Sequence, residues 1–149
     1  MRLSTKGRYA VMALTDLARH GDTRAVSLAE IAARQEISLS YLEQLFARLR
    51  RGGLVSSVRG PGGGYKLTLG ADGTPIAAIV RAVDEPLRAT RCSQHDGAKG
   101  CMNKGERCLT HDLWESLSHE IETYLTNITL ADVVAGRLKP GAADRTAAA

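Results

Sequence analysis

The sequence predicts a mainly α-helical chain with one small β-hairpin, and three observations carry that prediction. Apolar residues recur at helical spacing over residues 8–20, 38–51 and 111–128. Between residues 54 and 69 the period falls to two, around a glycine-rich break. Aromatic residues make up only 4% of the 149, so the core is built from Leu, Ile, Val and Ala. A chain of this length is one domain with room for an added helix, and it buries roughly two-thirds of its extended surface.

Each element has its own signal. Residues 8–20 place Val11, Leu14, Leu17 and Ala18 on one helix face, with Gly21 just past the end. Ser27-Leu28-Ala29-Glu30 is a capping-box pattern that opens a short helix to about residue 34. Gln35-Glu36 breaks it. Ser38 caps the next helix, which runs to about residue 51 and stops at Gly52-Gly53. Residues 54–58 and 65–69 read as strands joined by Arg59-Gly60-Pro61-Gly62-Gly63-Gly64. Thr74 and Pro75 fit the N-cap and first position of a helix with Ile76, Ile79, Val80 and Val83 inside, ended by Pro86. Residues 86–110 carry no period and are rich in Gly, Cys and charge, the composition of a functional loop. From His111, Leu113, Leu117, Ile121, Leu125 and Ile128 mark a longer helix. Thr129 caps a last short one that stops at Gly136, and residues 137–149 read as a mobile tail.

Composition narrows the function classes. No apolar run approaches the ~18 residues of a membrane span. The short run over residues 10–14 breaks at Asp16 without a cleavage site, so the expected location is the cytoplasm. The net charge of +4 is uneven: residues 1–70 hold 11 Lys and Arg against 5 Asp and Glu, and residues 71–149 hold 9 against 11. A basic first half points toward a polyanion.

Three short helices followed by a hairpin is the order of a winged helix-turn-helix. On the helix after Ser38, the residues Leu42, Leu45, Phe46 and Leu49 fill one face, while Ser40, Glu43, Gln44, Ala47 and Arg51 lie opposite. Short hydroxyls and an amide near the helix start reach base edges, and arginines reach phosphates. In the loop, glycines let backbone approach a phosphate and Arg59 supplies charge. No Gly-Lys-Ser/Thr follows these glycines, which excludes a nucleotide-binding loop.

The cysteines fall in the order Cys92-x8-Cys101-x6-Cys108-x2-His111. Three thiolates and an imidazole suit zinc or an iron–sulfur centre, with His95 a rival fourth ligand. No close Cys-x2-Cys knuckle of structural zinc is present, and wide gaps suit a bulkier cluster. Cys108 and His111 are three apart at the start of the long helix, whose positive end favours thiolate.

Several runs together resemble one family: Ile37-Ser38-Leu39-Ser40-Tyr41-Leu42-Glu43-Gln44-Leu45-Phe46, Val58-Arg59-Gly60-Pro61-Gly62-Gly63-Gly64-Tyr65, Ala89-Thr90-Arg91-Cys92 and Cys108-Leu109-Thr110-His111. They are similar to the IscR-type iron–sulfur cluster regulators, and the likeness extends from residue 1 to about 135. The resemblance implies a homodimeric winged-helix transcription regulator that binds palindromic double-stranded DNA. It implies a [2Fe-2S] cluster on Cys92, Cys101, Cys108 and His111, supplied by the iron–sulfur assembly machinery. It also implies DNA contacts from Ser38, Ser40, Tyr41, Glu43, Gln44 and Arg59. The loaded form would repress cluster-assembly genes, and the apo form would act at other promoters. The gaps between the cysteines are longer here than in the family.

The expected organisation is then a DNA-binding domain over residues 1–86, a cluster loop over 87–110, dimerisation helices over 111–136 and the tail over 137–149. Two other readings use the same residues. One is a nitric oxide or redox sensor on this scaffold. The other is a cluster carrier or thiol enzyme, for which the sequence offers no catalytic constellation.

Overall fold

A computed structural model of the chain describes residues 4–90, 100–102 and 105–138. Cys92, His95 and the tail residues 139–149 lie outside the described residues. Helices α1 (Thr5–His20), α2 (Leu28–Gln35) and α3 (Leu39–Arg51) precede a hairpin of β1 (Val55–Val58) and β2 (Gly64–Leu67). Then come α4 (Ile76–Ala82), α5 (His111–Asn127) and α6 (Leu130–Val134). The expected mainly helical winged helix-turn-helix is what the chain forms. Among the described residues no helix is long and apolar enough to cross a membrane.

The core lies around α1. Ala10, Ala13, Leu14 and Leu17 are fully buried there, and α2, α3, α4, α6 and β2 all pack on this helix. The small Ala residues let neighbouring helices approach closely, and Phe46, Ile31, Leu42, Leu45 and Leu49 fill the space between them. Both predicted caps at α2 and α3 form. Ser27 accepts from the Glu30 amide while the Glu30 carboxylate accepts from Ser27, and Ser38 accepts from the Tyr41 amide. A hydrogen bond from Arg24, then those from Ser27, hold the Glu30 carboxyl at about 2. Glu36 takes a left-handed conformation at φ 54°, which ends α2 and turns the chain into α3.

One polar group sits inside this apolar assembly. The Asp16 side chain on α1 is wholly buried. Arg34 donates to it from Nε at 3.0 Å and from Nη2 at 2.7 Å, and Gln35 donates from Nε2 at 2.7 Å. Burial is the largest single influence on its carboxyl and pushes the pKa up. The bonds from Arg34 and Gln35 and the charges of Arg34 and His20 together outweigh it, so the group is held below its usual value.

The fold departs from the expected boundaries in three places. The strands are Val55–Val58 and Gly64–Leu67, and the ladder runs from Val55 opposite Leu67 to Val58 opposite Gly64. Helix α4 starts one residue late: Pro75 is its N-cap, and the buried Thr74 hydroxyl donates to the Gly70 carbonyl instead of capping. Thr74 has a better use for its backbone. Residues 74–76 pair with 128–130, with Ile76 N–H donating to Ile128 O at 2.9 Å and Leu130 N–H to Thr74 O at 3.0 Å. This pairing returns α6 to α1, with Leu130 fully buried, although α6 had been grouped with the dimerisation helix.

The third departure concerns α5. Leu113 and Leu117 face outward, Ile121 and Leu125 are half-buried, and Ile128 is buried. Steps of four advance each residue about 40° beyond a full turn, so the stripe winds around the helix instead of marking one face.

Replacing Asp16 with Ala should destabilise the chain by about 2 kcal/mol, because Arg34 and Gln35 lose the buried carboxylate that accepts their hydrogen bonds. Because the folded-state carboxyl is depressed, its contribution is complete at neutral pH. It erodes as pH falls below about 4 and through the folded-state value. Chemical denaturation from pH 7 to pH 2 should show the wild-type advantage over Asp16→Ala shrinking in that acid window. A constant gap would contradict it.

Candidate functional site

Two sites form, on different elements. The first is the outward face of α3 with the hairpin. Ser40, Glu43, Gln44, Ala47 and Arg51 are exposed on α3, opposite the buried Leu42, Leu45, Phe46 and Leu49. Ser38 is exposed but spends a lone pair on the Tyr41 amide. Tyr41 is half-buried, its ring edge-on to Tyr9 of α1 with centroids 6.0 Å apart, so it has a packing role at the helix start. Arg59 is exposed in the hairpin loop. Arg50, Arg51, Arg59 and Lys66 are all exposed and make no ion pair among the described residues. Unpaired cations beside a short polar helix face provide phosphate contacts and base-edge contacts in one surface.

The hairpin does not swing freely against α3. Tyr65 of β2 packs edge-on against Phe46 of α3 at 4.9 Å. Its backbone also pairs both ways with Val26, Tyr65 N–H to Val26 O at 2.8 Å and Val26 N–H to Tyr65 O at 3.1 Å. Val26 is thus a one-residue third strand that sequence periodicity could not register. Gly64 makes the approach possible: a Cβ there would meet the Val26 carbonyl oxygen at 2.2 Å. The run of three glycines marked the position in the sequence, but not which glycine has the close neighbour.

The second site lies at the start of α5. The N–H of His111 donates to the Cys108 carbonyl, closing a turn that puts these two residues side by side. Cys101 Sγ lies 3.6 Å from His111 Nδ1 and accepts from the Cys108 amide at 3.0 Å. His111 is buried, and its Nε2 points toward Glu115 Oε2 at 3.7 Å. Of the four expected ligands, the structure brings the Cys101 sulfur to His111. Cys108 joins them through its backbone, while its own sulfur lies 3.8 Å from Thr110 Oγ1. Cys92 lies outside the described residues. A sulfur donor beside an imidazole nitrogen suits iron or zinc. His111, Asp112 and Glu115 also lie near one another, but both carboxylates are exposed. His111 Nδ1 is the nitrogen that faces sulfur.

Known proteins share this fold. The profile of the Rrf2 family, described as an iron-dependent transcriptional regulator, matches residues 3–136. This chain belongs to the Rrf2 family. Among curated relatives, the HTH-type transcriptional regulator IscR of Erwinia tasmaniensis is 57% identical over 134 residues, covering 90% of this chain and 79% of that one. The protein of the same name from Yersinia enterocolitica is 56% identical over the same shares. Among solved structures, T. potens IscR matches with a TM-score of 0.74 and 38% identity, over 93% of this chain and 89% of that one. CymR, described as the global cysteine regulator of B. subtilis, matches with a TM-score of 0.75 and 30% identity, over 91% and 98%. As a member of the Rrf2 family the chain is a DNA-binding transcriptional regulator, and its close relatives carry the names of regulators, not of enzymes.

Changing Gly64 to Ala should detach the hairpin from Val26 at a cost of roughly 1–3 kcal/mol. Hydrogen exchange at the Val26 and Tyr65 amides should then accelerate. Gly62→Ala, with nothing near the added Cβ, should leave those two amides protected. Equal protection in all three chains would disprove the contact.

Proposed function

We propose that this Rrf2 protein senses iron–sulfur cluster status and controls the genes for cluster assembly. The observation that carries the reading is the approach of Cys101 Sγ to His111 Nδ1 at the N-terminus of α5. The relatives named IscR add support. Cys92, Cys101, Cys108 and His111 would hold a [2Fe-2S] cluster delivered by the assembly machinery. Bound there, the cluster supplies the sensing chemistry, with its presence dependent on iron and sulfide supply.

The chain's own residues do the rest. The α5 N-terminus places positive partial charge near Cys101 and His111, which would offset the charge of an anionic cluster held there. The Cys108 amide donates to Cys101 Sγ and offsets part of its charge. A histidine ligand is neutral and more easily displaced than a thiolate, so the site releases its cargo when supply falls.

The chain acts as a homodimer in this reading. Leu113, Leu117 and Tyr124 are exposed along α5, together with Leu109 just before it. A second copy covers this stripe, and two-fold symmetry then presents two α3 helices and two hairpins to a palindrome with half-sites about one turn apart. Ser40, Glu43 and Gln44 read bases from the major groove. Ser38 and Tyr41 set the helix start against the backbone, and Arg59 reaches from the hairpin. The loaded form represses cluster-assembly promoters, and the apo form regulates other sites.

The deciding experiment is a gel shift on the anaerobically purified chain, with and without cluster, against both site classes. Loaded protein should hold cluster-assembly promoters more tightly than apo protein does. His111→Cys should keep its visible absorption longer than wild type during chelator challenge. Equal promoter affinity of the two forms would remove the sensing function, and equal bleaching rates would remove the lability argument.

Glu43 is an acid on a face made for DNA. It can accept from the cytosine amino group but is repelled by phosphate and has no partner at many bases. Glu43→Ala should broaden the sequence preference of the apo form, lowering discrimination between site classes by the roughly 1–3 kcal/mol typical of one base contact, about 5-fold to 160-fold. Unchanged discrimination in competition binding would exclude that role.

A further inference from the structure

The loop that brings Cys101 to His111 depends on a residue that binds nothing. The N–H of Gly100 donates to the Gly105 carbonyl at 3.0 Å. Met102 N–H donates to Glu106 O at 3.1 Å, and Gly105 N–H donates back to Met102 O at 2.9 Å. Residues 100–102 and 105–106 therefore lie tight against each other, and Cys101 projects from this turn to the Cys108 amide and the His111 ring. A Cβ on Gly100 would stand 2.1 Å from both the carbonyl carbon and oxygen of Glu106, and 2.5 Å from the Gly105 oxygen. Side chains essentially never come within 3.0 Å of such neighbours. All three are backbone atoms held by the hydrogen bonds above, so no rotamer change relieves the clash.

We infer that Gly100 is a positioning residue for the metallocofactor: its missing side chain lets the turn close, and the closed turn delivers Cys101 Sγ to His111. The inference rests on the cluster reading above. Any side chain at residue 100 forces the turn open, and the displacement falls on Cys101, the next residue. Ligand distances at a metal centre tolerate about 0.2 Å. The effect is local, because this turn contributes no residue to the buried core. Met102 supplies the comparison: it occupies the same turn, and its side chain is exposed.

The test uses the full chain as wild type, Gly100→Ala and Met102→Ala. Iron and sulfide per protomer and the rate of bleaching under chelator report the cluster. Titration of the apo protein with Co2+ reports the donor set independently, through its thiolate charge-transfer absorption. Gly100→Ala should bind Co2+ roughly 10-fold to 100-fold more weakly and bleach correspondingly faster, with the thermal midpoint and DNA affinity of its apo form unchanged. Met102→Ala should match wild type in every readout. Wild-type retention of both metals by Gly100→Ala would overturn the inference alone. So would an equal loss in Met102→Ala, or a lowered apo midpoint in Gly100→Ala, which would place Gly100 in the fold and not at the site. A wild-type chain that takes up neither cluster nor Co2+ would sink the cluster reading and this inference with it.

Discussion

The orientation of the DNA-reading helix depends on one buried carboxylate. Asp16 sits on the helix on which α2, α3, α4, α6 and β2 pack, and its partners Arg34 and Gln35 are the last two residues of α2. The three donors tie the C-terminal end of α2 to a fixed level of α1. Only two residues, Glu36 and Ile37, then separate α2 from the Ser38 cap of α3. Glu36 turns left-handed and Ile37 is buried, so the turn has little freedom left. An apolar pair of similar volume could match the stability of a buried ion pair. It would lack the directionality that fixes the rotation of α2, and with it the direction in which Ser40, Glu43 and Gln44 face. Polar specificity at this point is our reading of why a charge is kept in an apolar core.

The hairpin is held by a second set of contacts that converge on Tyr65. Its ring meets Phe46 of α3 and its backbone meets Val26, two residues before α2 begins. The hairpin strands and the polar face of α3 therefore keep a defined separation. Both sets of contacts use the backbone or fully committed donors. Neither depends on the exposed ion pairs elsewhere in the chain, which are worth little in water.

Much of this was legible in the sequence. Local chemistry carried most of it: the Ser27–Glu30 box, the Ser38 cap and the Thr129 box all formed where their residue types required, and the break at Gln35-Glu36 ends α2, although nothing in a glutamate announces the left-handed turn it takes. Three residues span one helical turn, and the backbone of Cys108 does meet that of His111, though spacing alone did not give the direction of the Cys108 sulfur, which lies by Thr110. Contacts between distant segments left no such trace. The pairing of residues 74–76 with 128–130 involves backbone groups alone, so no side-chain pattern announces it, and Thr74 looked like a helix cap. Val26 is a single residue and has no period. The wandering stripe of α5 shows a different limit, because spacing by four marks a helix without saying which side is covered. Cys101 was readable as a ligand type, but its approach to His111 depends on a close pass of two backbones at Gly100.

Side-chain and backbone contacts also fix the segment between α4 and α5. The segment that leaves the reading head is pinned on both sides. Val83 is buried, Asp84 pairs with Arg48 of α3 in a left-handed conformation at φ 56°, and Glu85 accepts from Ser4 at the start of α1. Leu87 is buried next, and the Ala89 N–H donates to Ser118 Oγ of α5 at 3.0 Å. Arg81 of α4 pairs with Glu122 of α5. Residues 81–89 thus touch α3, the start of α1 and α5 within nine positions. Arg48 is anchored there, one helical turn after Gln44 on α3. The segment between α4 and α5 is therefore itself in contact with α3, the start of α1 and α5.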